Sequence, residues 1–150
     1  IITMDCDGTH NPIYINRMIK LLSSQKIDLV STNRFLQKNS LDDWSLWRKK
    51  LTTLRHYMIK LLLNIEFDSS GAFRCYNTKK IKLQDILNAK NESYSFFWES
   101  IFILSKKYKI REIPIKLPGR LSGSSKMRLK DIFSAVIYLF KIFFKKRLFI

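Results

Sequence analysis

Acidic residues are scarce in this 150-residue chain, which has 12 Asp and Glu against 28 Lys and Arg. The formal net charge of +16 gives a strongly positive surface field, which favours nucleic acid, phosphorylated small molecules or an acidic membrane face as partners. A hydrophobic fraction of 46% is enough to bury a sizeable core, which excludes a disordered chain. Charge alone does not choose among the three partner classes.

Cysteine and histidine are also rare, and neither forms a metal-binding pattern. Cys6 and Cys75 have no CxxC spacing and lie in apolar segments, so we expect reduced, buried thiols. His10 and His56 lack the spacing of zinc-binding histidines. A structural zinc site therefore has little support.

Alternating strand and helix patterns predict an α/β fold. Residues 1–7 form an apolar run that ends in polar residues, as in a central strand reaching the carboxyl edge of a sheet. A helix from Asn11 to about Ser23 and a strand at 27–31 complete a βαβ unit, which favours a parallel sheet. Further helices are predicted at 44–63, 80–89 and 94–107, and strands at 72–76 and 110–116. A first strand buried on both faces needs neighbours, so we expect the chain to be the C-terminal part of a larger protein.

Two carboxylates follow the first apolar run. Asp5 and Asp7 alternate with Cys6, so a continuous strand would put both carboxylates on one side and Cys6 in the sheet packing. Such a pair can hold one hard divalent cation, which can in turn hold a diphosphate. Gly8 permits a tight turn, and Thr9 or His10 could complete the coordination. The alternative is a chance pairing of two acidic residues.

The predicted helix at 44–63 has two different sides. An apolar stripe is formed at spacings of three and four by Trp47, Leu51, Leu54, Met58 and Leu61. Arg48, Thr52 and Arg55 fall at i, i+4 and i+7 on another side. Because guanidinium groups bind phosphate bidentately, this second side is a candidate anion site. The alternative is a solvated surface of exposed arginines.

The last segment, 128–150, predicts an unusually apolar helix. One narrow polar stripe is formed at helical spacing by Lys130, Ser134, Tyr138, Lys141 and Lys145. So broad an apolar surface suits the interface between lipid headgroups and acyl chains. A spanning helix is disfavoured because Lys141 interrupts the run. The alternative is a core helix of the domain.

Four motifs, MDCDGTHNP, STNR, DSSGAFR and RLSGSSK, occur in this order between residues 1 and 126. Together they resemble the landmarks of the dolichol-phosphate mannosyltransferase-like branch of glycosyltransferase family 2, which transfers sugars from nucleotide diphosphates to polyprenyl phosphates. The resemblance implies the C-terminal part of a GT-A, Rossmann-like fold over 1–127. We expect a mixed, mainly parallel sheet flanked by helices, without the strands that grip the nucleotide base. A C-terminal amphipathic membrane-interface helix would then occupy 128–150.

The resemblance also implies roles for individual residues. It makes Asp5 and Asp7 ligands of Mg²⁺ or Mn²⁺, with Thr9 at a third, polar position. It gives the acceptor lipid phosphate to Arg34, Arg48 and Thr52. It gives the donor diphosphate to Arg120, Ser125 and Lys126, of which Arg120 and Lys126 join Asp5 and Asp7 as catalytic residues. The wall on the acceptor side would be formed by Asp68, Gly71 and Arg74, with Asp68 acting as a base or positioning Arg74.

These expectations describe a metal-dependent, inverting transfer of sugar to dolichyl or undecaprenyl phosphate at the cytoplasmic face of a membrane. A phosphate monoester is largely dianionic at neutral pH, so the acceptor needs no protein base. The expected partners are a sugar nucleotide, a polyprenyl phosphate and an anionic membrane surface, without nucleic acid. Two alternatives stay open: a basic nucleic-acid-binding domain, or a catalytically silent, membrane-associated relative. We expect this part of the protein to be inactive in isolation.

Overall fold

The computed structural model describes residues 1–24, 26–119 and 128–148, in which four strands form one mixed sheet flanked by helices. The strands are β1 (Ile2–Thr3), β2 (Leu29–Asn33), β3 (Arg74–Tyr76) and β4 (Ile110–Pro114). The helices are α1 (Tyr14–Ser24), α2 (Leu46–Leu63), α3 (Leu83–Leu87), α4 (Ser95–Ser105) and α5 (Leu129–Leu148). The predicted α/β class is confirmed, and each predicted helix and strand is present with shifted ends.

The strand order is β1-β3-β2-β4. β3 lies between β1 and β2 and runs antiparallel to both, whereas β2 and β4 run parallel. The predicted mixed sheet is therefore confirmed, but its mainly parallel character is wrong for the described strands. A three-residue strand such as β3 has no periodicity from which its direction could be predicted.

The first strand is shorter than predicted. β1 ends at Thr3, and the chain then bends through Gly8, whose φ of 77° is a left-handed conformation that glycine adopts without strain. Side chains alternate only along an extended strand, so the prediction that Cys6 points into the sheet is wrong. Cys6 is exposed, whereas Cys75 is buried as predicted.

Apolar side chains pack on both faces of the sheet. Along β2, Leu29 belongs to one cluster and Val30 to the other. The cluster on the Val30 face includes Met18 of α1 and Phe73. The cluster on the Leu29 face includes buried residues of α2, α4 and α5: Ile59, Leu63, Trp98, Ile101, Phe102, Leu104 and Leu139. Helices therefore cover both faces and hold the sheet edges in place.

α2 turns its predicted apolar stripe outward. The helix begins after Ser45, whose Oγ accepts the N–H of Arg48 at 3.4 Å, and ends at the left-handed Asn64. Trp47, Leu54 and Leu61 are 70%, 57% and 82% exposed. The opposite side, which carries Arg48, Thr52 and Arg55, is partly buried. The side of α2 predicted to bind an anion thus faces the protein, and much of the apolar stripe faces solvent.

α5 packs one side against the domain and exposes the other. Leu139 is buried, and the hydroxyl of Tyr138 donates to Oε1 of buried Glu99 at 2.8 Å. Tyr138 therefore contacts the domain, although it was predicted to lie on the polar stripe. The core-helix alternative is correct for this side of α5. The exposed side carries large apolar residues, namely Leu129, Phe133, Ile137, Phe140 and Phe144.

Lys130, Lys141 and Lys145 are exposed beside that apolar side of α5. Among the residues that the structure describes, no helix combines the length and the hydropathy needed to cross a membrane.

Candidate functional site

Three strand ends and the start of a fourth strand meet at one edge of the sheet. β1 and β2 both pair antiparallel with β3, and β4 is parallel to β2, so the carboxyl ends of β1, β2 and β4 adjoin the amino end of β3. The Thr3 hydroxyl donates to the carbonyl of Ala72 at 2.6 Å, which ties the end of β1 to the segment before β3. The segments bearing Asp5, Asp7, Arg34 and Asp68 therefore lie at this common edge.

The loop after β1 is held by its own side chains. The N–H of Asp5 donates to Nδ1 of His10 at 2.9 Å, and the His10 ring lies 5.1 Å from the ring of Phe73. Oδ1 of Asp7 accepts both the hydroxyl and the N–H of Thr9, at 2.6 and 3.2 Å. Thr9 thus orients the carboxylate of Asp7, and Nδ1 of His10 is occupied by the backbone.

The charges around His10 link this loop to β2. Burial lowers the pKa of His10, and the positive charge of Arg34 acts in the same direction against the carboxylates of Asp5 and Asp7. A neutral His10 is consistent with Nδ1 accepting the N–H of Asp5. The acidic pair and Arg34 are thus within electrostatic range of one imidazole.

Arg34 and Asp68 form a buried ion pair at the centre of the edge. Nε of Arg34 donates to Oδ2 of Asp68 at 2.7 Å, and the backbone N–H of Arg34 donates to the same oxygen at 3.3 Å. The two side chains are 8% and 1% exposed. Burial alone would raise the pKa of Asp68, but the charge and hydrogen bonds of Arg34 outweigh it and hold this pKa below its ordinary value.

Arg74 lies beneath the edge rather than on it. Its side chain is fully buried and donates to the Ser100 hydroxyl and to the carbonyls of Ser69 and Phe97, at 2.6 to 2.9 Å. The interpretation that Asp68 positions Arg74 is wrong, because Asp68 pairs with Arg34. As the first residue of β3, Arg74 instead connects the sheet to α4.

Glu112 is a site residue that the sequence pattern does not single out. Oε1 accepts the N–H of Asp68 and Oε2 accepts Nδ2 of Asn33, both at 2.7 Å. Burial raises the pKa of Glu112 to about 7, and the charge of Asp68 also raises it, against the opposing hydrogen bonds and the charge of Arg74. Glu112 therefore ties β4 to the segment that carries the ion pair. The sequence offers one sign of this role: Glu112 is a single carboxylate within the predicted strand at 110–116. That strand pairs with β2, which precedes Arg34.

The inner side of α2 carries three polar residues, Arg48, Thr52 and Arg55, which differ in their contacts. The guanidinium of Arg48 lies 3.5 Å from the centre of the Trp44 ring, a cation–π contact. Thr52 is partly buried. Nε of Arg55 is buried without a hydrogen-bond partner. The loop after β2 meets this helix where the rings of Phe35 and His56 stack at 4.2 Å.

The donor set around Asp5 and Asp7 suits a hard divalent cation held largely by its own waters or by a diphosphate. Carboxylate oxygens are the right ligand type, and Mg²⁺ is commonly bound by one or two carboxylates plus substrate phosphates. The carboxylate of Asp5 is 52% exposed and accessible from solvent. Within the described residues, no cluster of three or more His, Cys, Asp or Glu side chains could form an all-protein metal site.

The remaining predicted residues divide into two groups. Gly71 lies beside Arg34, because a Cβ placed on it would be 3.4 Å from Nη2 of Arg34. Arg120, Ser125 and Lys126 lie outside the described residues. A separate open groove of about 690 Å³ is lined by residues 87, 89–94, 96 and 97, none of which belongs to the sheet edge.

No protein-family model matches the chain. It is 24% identical over 139 residues to an undecaprenyl-phosphate mannosyltransferase of Micrococcus luteus, an alignment that covers 91% of this chain and 56% of that protein. It is 29% identical over 150 residues to an uncharacterized protein of Methanocaldococcus jannaschii, covering 97% of this chain and 60% of that protein. The chain is thus a distant relative of a polyprenyl-phosphate glycosyltransferase and spans less than two thirds of either relative.

Proposed function

We propose that this chain carries the acceptor and metal-binding part of an enzyme that transfers a sugar from a nucleotide diphosphate to a polyprenyl phosphate. The observation that carries the proposal is the convergence of Asp5, Asp7 and the Arg34–Asp68 pair at one sheet edge. The similarity to an undecaprenyl-phosphate mannosyltransferase supports the same chemistry and favours mannose as the sugar.

In the proposed mechanism, Asp5 and Asp7 hold Mg²⁺ or Mn²⁺, and Thr9 keeps the Asp7 carboxylate oriented. The bound ion would neutralise charge on the departing nucleotide diphosphate. Arg34, Arg48 and Thr52 bind the acceptor phosphate and position its oxygen in line with the anomeric carbon. The phosphate oxygen forms the new bond as the bond to the diphosphate breaks, so one displacement inverts the anomeric centre.

Arg120, Ser125 and Lys126 complete the proposal at the donor side. Cationic side chains there would stabilise the charge that develops on the leaving diphosphate. This role is extended from the RLSGSSK motif, since these residues are outside the described part of the chain.

The proposed location is the cytoplasmic face of an anionic membrane. The exposed apolar side of α5 would enter the headgroup region, and Lys130, Lys141 and Lys145 beside it would meet anionic lipid. Each large apolar side chain removed from water contributes about 2 kcal/mol. The double substitution of Phe133 and Ile137 by Ser should therefore sharply lower partition onto anionic vesicles. Leu83→Ser, which removes an exposed apolar residue of α3, is the matched control.

The transfer itself is tested in the full-length protein with a nucleotide-diphosphate mannose donor, a short polyprenyl phosphate and Mg²⁺ or Mn²⁺. Asp5→Ala should abolish metal-dependent transfer without changing the circular dichroism spectrum. Glu66→Ala, which removes a carboxylate that is 80% exposed, should leave transfer unchanged. Full activity of the Asp5 variant would refute the metal assignment. Salt-sensitive oligonucleotide binding without any transfer would favour the nucleic-acid alternative.

A further inference from the structure

Arg34 uses only part of its guanidinium within the protein. Nε and the backbone N–H are bonded to Asp68, whereas Nη1 and Nη2 have no hydrogen-bond partner among the described residues. Nη2 faces Gly71, whose missing side chain leaves space at this point. Arg34 can therefore bind an additional anion without breaking its ion pair.

Arg55 carries a second guanidinium near the end of β2, because its neighbour His56 stacks at 4.2 Å on Phe35, the residue after Arg34. Its Nε is buried without a partner, and no ion pair involves it within the described residues. Burial lowers the pKa of Arg55 to about 10, and the charge of Arg34 acts in the same direction against the charge of Asp68. Arg55 thus has an Nε without an acceptor and a positive charge within electrostatic range of the Arg34–Asp68 pair.

A buried guanidinium N–H without an acceptor is costly, and an oxyanion would remove the cost by accepting it. Phosphate oxygens accept guanidinium N–H groups in bidentate geometry. His56 lies next to Arg55 in the chain. Burial lowers the pKa of His56, Asp68 raises it, and the positive charges of Lys60, Arg34 and Arg55 lower it further. Arg34 and Arg55 therefore both act on His56 as positive charges.

We propose that Arg55 is a phosphate-binding residue that acts together with Arg34 on one phosphate monoester, between the end of β2 and the inner side of α2. The inference rests on the proposed function, because it identifies the bound anion as the acceptor phosphate. It adds Arg55 to the side of α2 that already presents Arg48 and Thr52. Arg48 is positioned over the Trp44 ring, one turn or more nearer the start of the helix.

The test measures binding of two probes, inorganic phosphate and a short-chain prenyl phosphate, to the full-length protein. Calorimetry gives the affinities, and the NMR titration of His56 gives a local signal, because an anion between the two arginines should raise the pKa of His56. Arg55→Gln should weaken prenyl phosphate binding tenfold or more and abolish the response of His56. Arg17→Gln, which removes an exposed arginine of α1, should change the affinity less than twofold.

Arg55→Lys keeps the charge but loses the planar donor pair, so this variant should bind prenyl phosphate with intermediate affinity. It also provides the test if Arg55→Gln is poorly folded. Prenyl phosphate binding that needs Arg55 supports the proposal. If inorganic phosphate also binds, the phosphate group is the main source of affinity. If it does not, the prenyl chain is. Wild-type affinity in both Arg55 variants would overturn this inference alone. Failure of the unsubstituted protein to bind either probe would overturn the proposed function as well.

Discussion

Glu112 offers a quantitative test of how the site is held together, through Glu112→Gln. The folded protein holds the proton of Glu112 up to about pH 7, whereas the unfolded chain releases it near the ordinary pKa of 4.5. Between these two values the folded state binds more protons, so this group makes folding stability fall as the pH rises. Above about pH 7 both states are ionised, and the loss is complete.

The size of the effect follows from the two pKa values. Moving from 4.5 to about 7 corresponds to about 3 kcal/mol, at about 1.4 kcal/mol for each factor of ten in proton affinity. A glutamine side chain does not titrate, so the stability of the wild type relative to Glu112→Gln should fall by about 3 kcal/mol across this window. His10 and His56, whose lowered pKa values act in the opposite direction, are present in both proteins and cancel in the difference.

The assay is urea unfolding followed by circular dichroism at closely spaced pH values from about 4.5 to 8. Glu66→Gln is the control, because Glu66 is 80% exposed and its Oε1 lies 3.8 Å from Nζ of Lys60. The stability difference for this control should stay constant with pH. A difference for Glu112→Gln that also stays constant, within about 0.5 kcal/mol, would refute the proton-holding role of Glu112.

Three further substitutions test separate parts of the structure. Asp68→Asn should cost about 3–5 kcal/mol in urea unfolding, because it leaves the buried Arg34 without its counter-charge. The control, Asp42→Asn at an exposed residue, should cost little, and a loss below about 1 kcal/mol for Asp68→Asn would contradict the ion pair. Tyr138→Phe removes the hydrogen bond from the Tyr138 hydroxyl to Glu99, so it should cost about 1.5–3 kcal/mol and speed hydrogen exchange in α5 but not in α1. Unchanged exchange would mean that this bond does not hold α5. Gly8→Ala should cost about 1–2 kcal/mol, because φ of 77° strains an L-residue, and unchanged thermal stability would argue against this loop conformation.

Some helix boundaries and the common sheet edge could be predicted because short-range chemistry determines them. Asn11 does cap the turn before α1, since its Oδ1 accepts the N–H of Ile13 at 3.0 Å. The predicted end of α2 at Leu63 is confirmed, and Asn64 after it is left-handed, whereas the start is shifted from Trp44 to Leu46. Polar residues that follow β1 and β2 do meet at one edge, because both strands end on the same side of the sheet.

Features that depend on distant partners could not be predicted. The apolar stripe of α2 indicates that this side avoids water, but the pattern does not say whether protein or another phase covers it. Arg74 belongs to a motif that suggested a wall of the site. Its hydrogen-bond acceptors are instead the Ser100 hydroxyl and the Phe97 carbonyl, both on α4, and the carbonyl of Ser69. Glu112 acquires its partners only when β4 pairs with β2, which no local spacing encodes.

The orientation of α2 connects the two halves of the proposed function. One side of this helix exposes Trp47, Leu54 and Leu61, and the other carries the partly buried Arg48 and Arg55. A helix with its side chains is about 10 Å across. If the exposed side meets the membrane, a lipid phosphate at the headgroup level needs to travel only about this distance to reach the arginines. An isolated amphipathic helix would place its charges in water. In the proposed function, the inward side of α2 receives the acceptor phosphate.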